Sequence, residues 1–188
     1  TILKVIQSPA NAGWTNMGDL YNPIIAAFPN QWKTAPIYME PAGVISQWAS
    51  MGYNWNTDAQ WTIDNHISAI HDKTETLSAA LKSQLSALLL KIGYRPLISA
   101  ISLDGNALTV TIRNNGNAPA YVDRFLRIVA DGTPISTNVN LKGLLPGESQ
   151  FTITNDKFLS ASTLSLGFVN SSGVADIQFA QTGTTNNL

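Results

Sequence analysis

Cysteine is missing from all 188 residues, which excludes disulfides, thiolate metal sites and cysteine nucleophiles. Charge is scarce too: Asp, Glu, Lys and Arg make up 12% of the chain, about half of the ~25% usual for globular proteins. Eleven basic and twelve acidic residues give a net charge of −1. No basic run occurs, so electrostatics offer no case for nucleic acid or an anionic membrane as partner. No stretch approaches the ~18 consecutive apolar residues of a membrane span. A Gly-rich phosphate loop is lacking, and no serine stands in a G-x-S-x-G context, which removes a P-loop and a serine hydrolase of that kind. His66 and His71 are five residues apart, the wrong step for a helical i, i+4 zinc pair. No cofactor and no metal are expected.

What is present divides the chain. All five tryptophans (Trp14, Trp32, Trp48, Trp55, Trp61) precede residue 62, while Ser, Thr, Asn and Gln stand where charge is missing. Low charge, this polar composition and a single sequon, Asn170-Ser171-Ser172, point to an exported protein at the cell surface or outside the cell. The chain starts at Thr1 with no signal peptide and reads as a mature or trimmed product.

The first half has the rhythm of βα units. Ile2–Ile6 reads as a strand, Pro23–Phe28 as a short helix with proline at its first position, Thr34–Met39 as a strand and Val44–Met51 as another short helix. A loop is expected over Gly52–Trp61. Parallel strands of this kind need both faces covered, and two units cannot close a sheet alone. This half is therefore expected to pack on another polypeptide, on further copies of itself, or to be the end of a longer chain.

A long helix over about residues 73–92 is the strongest local prediction. Leu77, Leu81, Leu85, Leu88, Leu89 and Ile92 recur at three- and four-residue steps and share a face. Asp72 and Glu75 resemble a capping box, and Gly93 stands where a left-handed C-cap belongs, with Pro96 beyond it. From Leu97 the period changes to two. Ile98–Leu103, Leu108–Arg113, Tyr121–Val129, Ser149–Thr154, Thr163–Val169 and Val174–Ala180 read as strands between turn dipeptides such as Asp104-Gly105 and Asp131-Gly132. Such spacing predicts an antiparallel β-sandwich over residues 96–181, then a polar tail, 182–188.

Four pieces carry a family resemblance: Pro36-Ile37-Tyr38-Met39-Glu40, His66-x-Ser68, Ile92-Gly93-Tyr94-Arg95, and Asn114-Asn115-Gly116-Asn117-Ala118-Pro119 with Leu145-Pro146-Gly147. Together they resemble the C-terminal region of bacterial glycoside-hydrolase-like proteins, in which a TIM-type barrel ends in an immunoglobulin-like domain. The resemblance implies a two-part α+β chain: residues 1–95 an incomplete, TIM-barrel-like βα segment, and residues 96–181 an immunoglobulin-like sandwich. The first strands of such a barrel are not in this sequence. An exported carbohydrate-active protein is the implied function, with a polysaccharide or oligosaccharide as ligand. The alternative is a non-catalytic surface or assembly protein whose open half-barrel packs against neighbouring subunits or a missing chain.

Glu40 ends a strand, which in a barrel is the catalytic side. Glycosidases need a second carboxylate, and Asp19 is the candidate, with Asp58 and Asp64 as others. Trp14 and Trp55 lie in Gly/Asn-rich stretches where an indole face suits a sugar ring. Trp61, His66 and Arg95 complete the candidate binding residues. Trp32 and Trp48 are expected in the core. Each has a plainer role open to it: Glu40 as a structural carboxylate, the tryptophans as core, the histidines as hydrogen-bonding residues, and Arg95 in a buried tie to the sandwich beside Tyr94.

Overall fold

The computed structural model describes residues 3–4, 22–40, 43–71 and 76–175. Short helices, a parallel sheet and two antiparallel sheets make it a mixed α+β protein. It forms two units: Thr1–Tyr94 with Gly116–Pro119, and Arg95–Asn115 with Ala120–Leu188.

In the first unit, strands β1 (Leu3–Lys4), β2 (Ile37–Met39) and β3 (Ile67–Ile70) pair in parallel in that order. Strand β3 was not expected, because its polar entry, His66-x-Ser68, hides a short apolar run. Ile37 pairs with Ile67, and Ser68 then bulges out, its Oγ accepting the Ile37 N–H at 3.3 Å. The register resumes as Tyr38 with Ala69 and Met39 with Ile70.

Among the described residues, three α-helices accompany the sheet. Helix α1 (Asn22–Ala27) carries Pro23 in its first turn, where a missing N–H costs nothing. Helix α2 (Trp55–Asp64) corrects the loop expected over Gly52–Trp61. Its polar composition reads as a loop, yet Asn54 Oδ1 accepts from the N–H groups of Asn56 (3.0 Å) and Thr57 (3.2 Å), and such a cap starts a helix. The expected helix over Val44–Met51 is only a 3₁₀ turn, Ile45–Gln47. Helix α3 (Ala79–Leu89) is shorter than the span 73–92: Ser78 Oγ caps it by accepting the Leu81 N–H at 3.3 Å. Asp72 and Glu75 lie outside the described residues. Beyond α3, Gly93 has a φ of +72°, and a Cβ there would sit 3.3 Å from the Ser68 carbonyl oxygen, so the position needs glycine twice over.

Ile37 and Met39 of β2, Ile67 of β3 and Leu85 of α3 form one buried cluster with Ile45, Trp48 and Tyr53. Fully burying such side chains is worth roughly 1.5–3 kcal/mol each before entropy. Leu77 and Leu81 flank this cluster, while Leu89 of the expected apolar face is exposed.

The second unit holds two antiparallel sheets. One has the order β4 (Pro96–Asp104), β5 (Ala107–Asn114), β8 (Gly147–Thr154); the other has β7 (Thr133–Ile135), β6 (Phe125–Ala130), β9 (Leu164–Val169). Leu108, Val110 and Ile112 from the first sheet share a buried cluster with Leu126, Ile128 and Phe168 from the second. Strand β6 begins at Phe125, not Tyr121. Asn140 accounts for this: its Oδ1 accepts the Arg124 N–H (3.2 Å) and its Nδ2 donates to Asp123 (2.8 Å), a side-chain substitute for strand pairing. After β9, Asn170 Oδ1 accepts from Ser172 and Val174 N–H and turns the chain. Residues 176–180 of the expected last strand and the tail 182–188 lie outside the described residues. Among the described residues, no helix is long and apolar enough to cross a membrane.

Candidate functional site

Alternation along a strand sends neighbours to opposite faces. Ile37 and Met39 enter the core of the first unit, so Tyr38 and Glu40 belong to the other face of the sheet. The bulge at Ser68 brings β3 into the same phase: Ile70, opposite Met39, packs on the core, and Ala69 and His71 share the face of Tyr38 and Glu40. His71 lies just past the carboxyl end of β3. Its N–H donates to the Met39 carbonyl at 3.0 Å and extends the ladder by one rung. The Tyr38 and His71 rings meet edge to face, centroids 6.2 Å apart at 73°.

The carboxyl edge of β2 and β3 thus gathers a carboxylate, an imidazole and a phenol, from Glu40, His71 and Tyr38. Glu40 and Tyr38 are half-buried, and His71 and Ala69 exposed. In α/β sheets, ligands bind outside the carboxyl ends of parallel strands. This set can accept and donate hydrogen bonds to hydroxyls and move a proton through Glu40 or His71.

Glu40 is legible in the sequence as a strand end, whereas the placing of His71 and Tyr38 at the same edge is not. The usable signal was Ile67-Ser68-Ala69-Ile70 ending on a histidine, a strand whose exit matches that of Ile37-Tyr38-Met39-Glu40. Asp19 and Trp14 lie outside the described residues. Asp64 is exposed on α2 and accepts from Gln60 Nε2 at 2.7 Å. Asp58, fully buried in the first turn of α2, is out of reach of a substrate.

His66 lies at the opposite, amino end of β3. Its backbone is left-handed, φ 57°. Its ring stacks on Trp32, centroids 3.5 Å apart and planes 11° from parallel, and its Nδ1 is 2.6 Å from the Asn117 carbonyl oxygen. That contact places the proton on Nδ1. Lys33 Nζ lies 5.7 Å from the Trp32 ring centroid, within cation–π range. The structure therefore does not bring His66 to the edge that carries Glu40.

Of the remaining tryptophans, Trp48 is buried. Trp55, half-buried, is the first residue of α2 and not part of a loop, and its ring lies 5.6 Å from that of Trp48. Trp61 Nε1 donates to Asn22 Oδ1 at 2.9 Å. Arg95, in the second unit, is exposed, which corrects its expected burial; its backbone N–H donates to Asn114 Oδ1 at 2.8 Å. Among the described residues, no group of three or more His, Asp or Glu is arranged to hold a metal ion. No family model matches this chain, and neither the search of curated proteins nor that of solved structures finds a match.

Proposed function

We propose that this chain is part of an exported, carbohydrate-active protein of the glycoside-hydrolase-like kind. In this reading the parallel sheet is the end of a TIM-type barrel, and the two antiparallel sheets are an immunoglobulin-like sandwich that supports it. The observation that carries the reading is the accessible polar face of β2 and β3, with Tyr38, Glu40 and His71 at its carboxyl edge. A parallel sheet normally covers both faces, and in a barrel this second face is the interior, with the site at its carboxyl end.

Glu40 would act as the acid or the nucleophile towards a glycosidic bond, while His71 and Tyr38 orient hydroxyls. The partner carboxylate required for hydrolysis would come from Asp19 or from the strands that complete the barrel. Those strands would belong to a longer precursor, another chain or a second copy.

Saccharide titrations followed by residue-resolved NMR test this. Cello-, xylo-, chito- and galacturono-oligosaccharides are the probes. At least one should shift Tyr38, Glu40 and His71 resonances. Glu40→Gln should weaken that binding roughly tenfold and His71→Ala roughly fivefold, as expected for lost charged and neutral hydrogen bonds. No shift at this edge with any probe, together with a stable oligomer by light scattering, would replace the reading by a non-catalytic surface or assembly protein.

A further inference from the structure

We infer that the groove between α2 and α3 is a second saccharide-binding subsite, distinct from the strand edge that carries Glu40. This rests on the carbohydrate reading above and extends it to the helical side of the first unit. The groove has a volume of about 360 Å³, at the lower end of small-molecule sites. Small side chains, Ala59 on α2 and Ala87 on α3, are among those that line it.

Its chemistry is divided in the way a sugar ring requires. Trp55, Ile63 and the buried Leu88 supply an apolar floor. Exposed Asn56, Gln84 and Lys91 supply the rim, and no carboxylate lines the groove. A pyranose presents apolar C–H bonds on one face and hydroxyls around its edge. The indole and aliphatic floor suits the former, and side-chain amides, which both donate and accept, suit the latter. Lys91 adds a donor for a hydroxyl or a uronate carboxylate. A partner helix is a poorer fit, because among the described residues none of the exposed large apolar side chains lines this groove, whereas helix docking needs an exposed apolar stripe.

The same oligosaccharide panel separates the two sites by residue. The expected result is a shift of the Trp55 indole N–H and of the Asn56 and Gln84 amide groups, with Kd raised about fivefold by Gln84→Ala, the effect of one lost hydrogen bond. Lys91→Ala should raise it similarly. Both residues are exposed, so both variants keep the fold; Trp55→Ala, which also removes packing on Trp48, is read only with a matching unfolding curve. Shifts confined to Tyr38, Glu40 and His71 would overturn the groove and leave the proposed function standing. Shifts confined to the groove, lost in Gln84→Ala, would uphold the groove and count against the strand edge. No shift anywhere would overturn both.

Discussion

A single buried amide ties three parts of the first unit together. Asn117, 7% exposed, donates through Nδ2 towards the carbonyl oxygens of Thr62 (3.3 Å), Ile63 (3.2 Å) and Ile67 (3.2 Å), and its Oδ1 accepts the Gly93 N–H at 2.9 Å. It thereby links the end of α2, the start of β3 and the exit from α3. Asn117→Ala should destabilise the protein by on the order of 3 kcal/mol in urea unfolding, because several buried backbone groups lose their partner at once. Asn117→Asp is the sharper test. It keeps the acceptor for Gly93 but faces three carbonyl oxygens with a carboxylate, so it should be at least as damaging as alanine. A near-native Asp variant would disprove the amide link. The sequence around Asn117 reads correctly as a turn, but the link itself was not legible, because its partners lie more than twenty residues away along the chain. The left-handed His66 stacked on Trp32 was hidden for the same reason.

At the scale of elements, legibility followed the local signal. The period-two strands β5, β8 and β9 lie where the pattern places them, and the leucine-rich α3 lies inside its expected span but is shorter, since alternation and three-to-four spacing are local properties. Helix α2 and strand β3 did not show, because a capping asparagine and a bulged serine look like loop chemistry until their hydrogen bonds are seen. The β6–β7 turn illustrates what a turn dipeptide conceals. Asp131 and Gly132 have φ of 44° and 77°, as a two-residue hairpin turn demands. The Asp131 carboxylate also accepts the N–H groups of Ser162 (3.0 Å) and Thr163 (2.8 Å) and the Thr163 hydroxyl (2.9 Å), tying this turn to the entry of β9. Those bonds, the Ser162 N–H foremost, hold the Asp131 carboxyl below the ordinary aspartate range. A carboxylate whose folded value is depressed contributes fully above the unfolded value, and the contribution fades as pH falls through the folded one. Asp131→Asn tolerates the left-handed backbone but loses the charge. The wild type should therefore exceed this variant in stability near pH 7, and the gap should close as pH falls below about 4. Denaturation midpoints across that range check it; a gap that stays constant into acid would refute the role given to the carboxylate.

Taken as a whole molecule, the chain has two cores of unequal support. In the second unit, Leu108, Val110, Ile112 and Ile128 are fully buried between paired neighbours. In the first, β1 contributes two paired residues to the parallel sheet, and the face bearing Tyr38, Ala69 and His71 remains accessible. The βα rhythm of the sequence raises the expectation that this face needs further strands, and amide protection measures it. The chemistry placed there was only half legible: Glu40 from its strand end, but not His71 from a strand that went unseen. Backbone amides open at a cost set by the packing around them. Hydrogen exchange should accordingly find the amides of β5 and β6 opening only at or near the global unfolding free energy. Those of Ile37–Met39 and Ile67–Ile70 should open at a cost lower by on the order of 2–3 kcal/mol. Saturation with an oligosaccharide that binds at Glu40 should raise protection in β2 and β3 and leave β5 and β6 unchanged, because a ligand stabilises the conformations it binds. Equal protection in both sets without ligand would mean that the parallel layer is already as well supported as the antiparallel one, and would count against the completing strands proposed above.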